Sequence, residues 1–421
     1  MRHGVKHELF DRPLPVNSWL LFLRAVLGCA LASQNGPNTL NVPKPRDAAS
    51  SRRAALRATF WFGAGIVACP NLLAHLATPR VAFVNPGRSD EEYWLTATKA
   101  MQAASNSLGI ALEVQYAERD HLHMVDLVRE IARRPASRRP DYLVLVNERR
   151  MGGEMLKYAA GAGIKCVFAF NTLLPGDREQ FGRPREIFPL WLGSIVPHAE
   201  DAGYLTANAL IERGLRERRF AADGKLHMVA IAGDRSTESS ILRNQGMERA
   251  VREHQHRVVL DQTVYADWQR DVAAAMVKEL FVRYPEAVLV WSGNDLMALG
   301  AMAALSASGG RPGIDRWFSG VNTSREALQE LIDGRLEALA GGHFMAGAWA
   351  LVMIFDHAYG RDFADEGTEL DRAMFTLFDA PLARRFVARF GDRAPALDFR
   401  RHSKALNPDV RQYDFGFASL L

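Results

Sequence analysis

The chain has 421 residues, of which 48% are hydrophobic and 24% charged. It is too long for one compact core and too apolar for wholesale disorder, so two domains or lobes are expected. The formal charge of +4 points at first to a polyanion, but residues 1–79 hold nine Lys/Arg against three Asp/Glu, leaving 43 bases against 45 acids beyond them. Nucleic-acid binding needs clustered positive charge, so the body is read as having no nucleic-acid partner. Apolar stretches of membrane interest lie only before residue 80, which excludes a polytopic membrane protein.

Residues 1–79 read as a leader and export signal, largely unstructured or cleaved. Ser51-Arg52-Arg53-Ala54-Ala55-Leu56-Arg57 precedes the uncharged run Ala58 to Ala68, and the paired arginines resemble a twin-arginine export sequence. Ile66-Val67-Ala68-Cys69 resembles a lipoprotein processing site that would place a lipid on Cys69; ordinary cleavage near Ala77 is the alternative, and both stay open. An earlier stretch, Trp19 to Ala32, is also signal-like, so the first fifty residues are expected to come from an over-extended translation start. N-terminal sequencing of secreted material checks this. Of the three cysteines, Cys29 and Cys69 fall in the leader, and Cys166 lies alone in an apolar run with no His or Lys nearby in sequence to activate it other than Lys165, which fits a buried small hydrophobe.

From residue 80, short apolar runs alternate with helix-length amphipathic stretches. Strands are expected at Arg80–Asn85, Ala111–Tyr116, Asp141–Val146 and Lys165–Phe170, then at Leu226–Ala232, Arg257–Val264, Ala287–Trp291 and Arg316–Val321. The spacing predicts helices over Glu91–Leu108, His121–Arg133, Gly152–Gly161 and Pro197–Arg213, then over Ser240–His254, Trp268–Arg283, Asp295–Ala307 and Ser324–Asp333. Continuous Val/Ile/Leu/Phe strands alternating with helices argue for an α/β fold with parallel sheets. The Pro/Gly/Arg-rich stretch Leu174–Pro189 divides the series into two similar halves, hence two doubly wound lobes joined by a hinge.

Ligands of open parallel sheets bind beyond the carboxyl ends of the strands. Asn85, Asn147, Asn171, Gly233, Asn294 and Asn322 stand at those positions. A single strand-end Asn is turn chemistry; its recurrence in both halves points to a shared cleft.

In this order the motifs resemble the type I periplasmic binding proteins, specifically the ribose- and galactose-binding group of ABC sugar importers, over about residues 80–380. The most specific segment is Trp291-Ser292-Gly293-Asn294-Asp295-Leu296-Met297-Ala298-Leu299-Gly300-Ala301. Gly320-Val321-Asn322, Arg243 with Gly246, Tyr265-Ala266-Asp267-Trp268, and Val81 to Gly87 followed by Tyr93-Trp94 complete it. The resemblance implies an N-terminal lobe of residues 80–194 plus 343–372, and a C-terminal lobe of 195–342 plus 373–421. It also implies a monomer that is not an enzyme, uses no cofactor or metal, and hands a sugar or sugar derivative to ABC permease subunits in the periplasm. Tyr93, Trp94, Asn147, Asn171, Arg243, Trp268, Asn294, Asn322 and His343 are the expected ligand-binding residues: aromatic faces meet the C–H faces of a sugar, amides both donate to and accept from hydroxyls, and Arg243 offers a planar donor fork.

Blander roles compete. Trp94 on a helix could be core, Arg243 could pair with Glu238 or Glu248 on the surface, Asp295 is expected to be an N-cap, and His343 either faces ligand or caps the helix through Tyr359. Where the family usually carries Asp, Asn171 and Asn322 stand, which makes a modified or anionic sugar plausible. The polar tail after residue 380 is expected to wrap onto the second lobe through Phe399, Tyr413, Phe415 and Phe417. No nucleophile elbow, phosphate loop or His-Glu-x-x-His occurs. His121-Leu122-His123 and His254-Gln255-His256 read as solvated faces rather than metal sites. Two other outputs of such a fold are a receptor for a membrane sensor kinase and a repressor; the latter would need a helix-turn-helix before residue 80, where the sequence is Pro/Ser/Asn-rich.

Overall fold

The computed structural model describes residues 78–390 and 396–416. The leader with its Arg52-Arg53 pair, Cys29 and Cys69, and the anchor Phe417, lie outside the described residues. The first half of the body runs β1 (Arg80–Asn85), α1 (Glu92–Leu108), β2 (Ala111–Tyr116), α2 (His121–Arg133), β3 (Tyr142–Leu145), α3 (Gly152–Gly161), β4 (Lys165–Ala169), the single turn α4 (Arg178–Phe181) and β5 (Trp191–Pro197). The second runs α5 (Ala199–Glu217), β6 (Leu226–Ala232), α6 (Glu238–Glu253), β7 (Val258–Tyr265), α7 (Arg270–Arg283), β8 (Ala287–Ser292), α8 (Asp295–Ala307), β9 (Trp317–Val321), α9 (Arg325–Ile332) and β10 (Ala338–Gly341). The chain then returns through α10 (Ala346–Ala358), β11 (Glu369–Arg372), β12 (Thr376–Phe378) and α11 (Ala380–Phe390).

These strands form two six-stranded sheets, in the orders β11-β5-β4-β3-β1-β2 and β12-β10-β9-β8-β6-β7. Neighbours are parallel except β12, which runs antiparallel on β10. The expected two-lobed α/β architecture is therefore what the chain adopts. Central strands such as β3 and β4 are buried on both faces, as their unbroken apolar runs require. Cys166 in β4 is 1% exposed, and burial pushes its thiol up, away from thiolate chemistry.

The chain crosses between the sheets three times: after β5, between β10 and α10, and between β11 and β12. The first crossing follows Pro197, which ends β5 and starts helix α5 at Ala199, two residues later than the sequence suggested.

Helix α10 is buried from Ala346 to Asp356, so its apolar character is needed all round. Its one acid, Asp356, accepts from the backbone N–H of Lys404 (2.8 Å) and Ala405 (3.0 Å), from the Tyr413 hydroxyl (2.8 Å) and from Ser403. Phe399 and Phe415 pack on Trp349 of the same helix, and the Phe399 N–H donates to Ser107 of α1. The tail beyond α11 thus wraps onto the N-terminal lobe, not the second lobe as expected, whereas α11 itself packs on α9 of the second lobe. A buried carboxylate costs several kcal/mol unless its oxygens are satisfied, and the tail is what satisfies this one.

Candidate functional site

Each helix after a strand begins at the carboxyl edge of its sheet, and the two edges face one another across a cleft of about 810 Å3 including its open mouth. That size suits a small molecule. Eight of the nine expected residues line it: Tyr93, Trp94, Asn171, Arg243, Trp268, Asn294, Asn322 and His343.

The N-terminal wall is aromatic. Trp94 is 4% exposed and edge-packed on Phe170 (5.1 Å between ring centres) and Tyr93 (5.0 Å), with Phe83 behind. Its indole N–H has no partner among the described residues. Trp94 therefore serves both as core and as cleft wall.

Asn147 is the exception among the nine. Its amide donates to the Thr172 carbonyl (2.8 Å) and accepts from the Gly152 N–H (2.8 Å) at the start of α3, and its backbone N–H donates to Asn171 Oδ1 (2.5 Å). Every polar atom of its side chain is engaged within the lobe, and it does not line the cleft. Here turn chemistry prevails, and the backbone of Asn147 holds the Asn171 side chain.

On the C-terminal side, Trp268 precedes α7 rather than opening it, with φ of 64°, and Asp267 before it is also left-handed at 48°. Strain of this kind persists only when surroundings impose the conformation. Three contacts do so. The indole N–H donates to Asp234 Oδ2 (2.9 Å), the Trp268 carbonyl accepts from Asn294 Nδ2 (3.2 Å), and the ring lies so close to Gly233 that a Cβ there would stand 2.2 Å from it. Asp234 also accepts from the Thr237 hydroxyl and from the Ser236 and Thr237 N–H groups, and these bonds hold its pKa down at about 2 despite burial.

Asn294, not Asp295, caps α8, accepting from the Met297 N–H at 2.8 Å. Asp295 is the first helical residue, and it accepts from Asn322 Nδ2 (2.9 Å) and the Ser324 N–H (3.0 Å). Burial pushes its carboxyl up in spite of those bonds.

Arg243 is 6% exposed on α6 and pairs with neither Glu238 nor Glu248. It is brought into the lobe by two glycines: a Cβ at Gly203 of α5 would stand 1.9 Å from the Arg243 carbonyl oxygen, and one at Gly246 would stand 2.0 Å from that of Glu200. Its guanidinium donates to the Gly293 carbonyl (2.7 Å) and to His343 Nε2 (3.1 Å), and packs over Trp268 and Phe375. Burial lowers its pKa to about 10.

His343 follows Gly342 (φ 112°) in a 3-10 turn at the second crossing and makes no side-chain cap. Its ring stacks on Tyr93 (5.0 Å) and on Phe375 (4.5 Å). Burial, then the neighbouring Arg243 charge, hold it well below the ordinary histidine range, so it is neutral near pH 7.

Several lining residues were not anticipated. Arg119 follows β2 and Glu148 follows Asn147, so the strand-end rule applied to them equally. Arg119 donates to Glu91 (2.8 Å) and stands 3.5 Å from Glu148, whose carboxyl burial pushes up. Phe375 lies on the third crossing, flanked by two very short strands that leave no periodic signal. Three polar contacts bridge the lobes at the rim: the Arg325 N–H donates to Glu92 (2.5 Å), the Thr172 N–H to Glu238 (3.1 Å), and Arg149 to Asp267 (3.5 Å).

Residues 81–362 match the family model of the periplasmic binding protein domain. A periplasmic sugar-binding protein from Pseudomonas fluorescens is 38% identical, with a TM-score of 0.72 over 81% of this chain and 99% of its own. A solute-binding protein of an ABC transporter from Actinobacillus succinogenes, solved with bound D-allose, shares the fold at 17% identity, with a TM-score of 0.61 over 73% of this chain and 100% of its own. The ribose import binding protein of Salmonella typhimurium is 29% identical over 111 residues, 26% of this chain, and the match spans only 36% of that relative's length. With its matched domain, its two parallel-sheet lobes and their triple crossing, the chain belongs to the type I periplasmic binding protein family.

Proposed function

We propose that this protein captures a sugar or sugar derivative in the periplasm by closing its two lobes on it, and delivers it to the permease of an ABC importer. The observation that carries this reading is the cleft itself, where an aromatic wall from one sheet opposes Trp268 and Arg243 from the other. Tyr93, Trp94 and Trp268 offer faces to the C–H surfaces of a ring, while Asn171, Arg243, Asn322 and His343 address its hydroxyls. Asn147 and Asn294 act at one remove, by holding Asn171 and Trp268. The relative from Pseudomonas fluorescens, described as sugar-binding, and the ribose import protein support the ligand class.

Because each lobe supplies part of the contact, ligand favours the closed form by the difference in its affinity for closed and open states. A shift from 1:99 to 99:1 needs about 5.5 kcal/mol, within reach of two aromatic contacts and several satisfied hydrogen bonds. Residues at the three crossings absorb the rotation, and the rim contacts of Glu92, Glu238 and Asp267 break on opening. Titration calorimetry against monosaccharides, sugar acids and polyols, with small-angle scattering before and after ligand, tests this. A saturable ligand that contracts the particle is expected. A panel with no binder, or a binder that leaves the scattering profile unchanged, overturns it.

A further inference from the structure

Resting on that cleft as the binding site, we infer that its hinge-side floor takes a carboxylate, so that the favoured ligand is a sugar acid. Among the described residues lining the cleft, the buried side-chain atoms left without a hydrogen-bond partner are Trp94 Nε1, Arg243 Nε and His343 Nδ1. All three are nitrogens placed to donate. The proton on His343 follows from its neighbour: Arg243 Nη2 can only donate, so Nε2 accepts and the neutral ring carries its hydrogen on Nδ1. No buried acceptor on a lining residue is left over in the same way. A hydroxyl donates as well as accepts, and beside these three donors no equally buried acceptor waits for its proton; a carboxylate only accepts.

The charge at Arg243 points the same way, although in the lining as a whole four carboxylates stand against two arginines. Each carboxylate has a partner: Glu91 and Glu148 on Arg119, Glu92 on the Arg325 N–H, and Asp295 on Asn322 and the Ser324 N–H. Arg243 is 6% exposed, and its hydrogen bonds go to a carbonyl and a neutral imidazole, with no ion pair among the described residues. A buried guanidinium without a counter-ion is costly, and a ligand carboxylate supplies one, in bidentate geometry if Nε takes part. Neutral His343, at the second crossing and stacked on Tyr93 of α1 and on Phe375 of the third crossing, keeps a second cation out of this floor.

The test is titration calorimetry on the full chain at pH 7.5 with matched ring-form pairs: galactose and galacturonate, glucose and glucuronate, mannose and mannuronate. At least one acid is expected to bind ten times or more tighter than its parent, with the advantage shrinking as salt rises. His343→Phe, which keeps the stack but removes both nitrogens, is expected to cut that preference at least fivefold; His343→Gln, which restores a donor, recovers part of it. Parents binding as tightly as their acids, in a manner lost with Trp268→Ala, would overturn the carboxylate while leaving the cleft as the sugar site. An acid preference indifferent to both His343 variants and to salt would also overturn it. Failure of every compound to bind would overturn the sugar reading and this inference together.

Discussion

The two lobes share a topology but use the same residue types differently at the cleft. On the N-terminal side the aromatic residues belong to a continuous core: Trp94 rests on Phe170 and Phe83, and its helix buries Ala97, Met101 and Ala104 in the same stripe. On the C-terminal side Trp268 stands clear of any helix and is held from outside by Asp234, Asn294 and the bare backbone of Gly233. One wall is rigid because it is core; the other is rigid because polar groups hold it. Stability and recognition are therefore coupled on one side of the cleft and separable on the other.

Truncating the two tryptophans gives the largest contrast. Trp94→Ala removes a side chain that is 4% exposed, and is expected to destabilise the fold by about 3–5 kcal/mol. Trp268→Ala, partly exposed and outside secondary structure, is expected to cost far less stability while weakening ligand binding about a hundredfold or more, near 3 kcal/mol. Urea unfolding of the unliganded protein together with calorimetry reads both. Equal stability losses in the two variants would break the distinction between the walls.

The strand-end asparagines divide along the same line. Asn294→Ala removes a helix cap worth about 1 kcal/mol and frees the Trp268 carbonyl, so affinity is expected to fall about tenfold as the indole loses its fixed pose. Asn147→Ala leaves the buried Gly152 N–H and Thr172 carbonyl without partners, a cost of about 1–3 kcal/mol in stability, with a smaller effect on affinity through Asn171. The ratio of affinity loss to stability loss is the measured quantity, and it should be higher for Asn294.

Most of this architecture was readable from the residues. Eight strands could be placed to within two residues because apolar residues run unbroken in segments such as Val81–Val84 and Leu143–Val146. Four strands could not. β10 is Ala-Leu-Ala-Gly, without β-branched residues, β11 is Glu-Leu-Asp-Arg, β12 spans three residues, and β5 is interrupted by Gly193 and ends in Pro197. Neighbouring strands and the crossings make these segments extended, not their own propensity. The strand-end rule found Asn171, Asn294 and Asn322, and the family motifs the other five cleft residues, but the rule could not tell Asn147, which does not line the cleft, from Asn171, which does. That distinction is a matter of which backbone groups need a partner, and these become known only once the loops have folded. Phe375 and the landing site of the tail depended on contacts between segments hundreds of residues apart.

The smallest effect concerns two histidines in opposite settings. His343 at the cleft floor has its pKa lowered by burial and by Arg243, so as acid is added the unfolded chain takes up this proton first. Stability from keeping it neutral is complete above the unfolded value of about 6.5 and falls as pH drops through it. His227, in β6 of the C-terminal sheet, lies 2.9 Å from Asp261 and 3.2 Å from Asp223. Burial works against its charged form, but the two carboxylates outweigh burial and raise its pKa. Its contribution is complete below about 6.5 and is lost as pH rises through the raised folded value. Urea midpoints measured between pH 5 and 8 should therefore lose part of their acid-side decline in His343→Phe and part of their alkaline-side decline in His227→Asn. His357 and His402, both lowered chiefly by burial, keep some acid-side decline in either variant. A His343→Phe profile as steep in acid as that of the parent chain would mean that the ring shares its floor with Arg243 as a cation, and the neutral donor assigned to it would have to be given up.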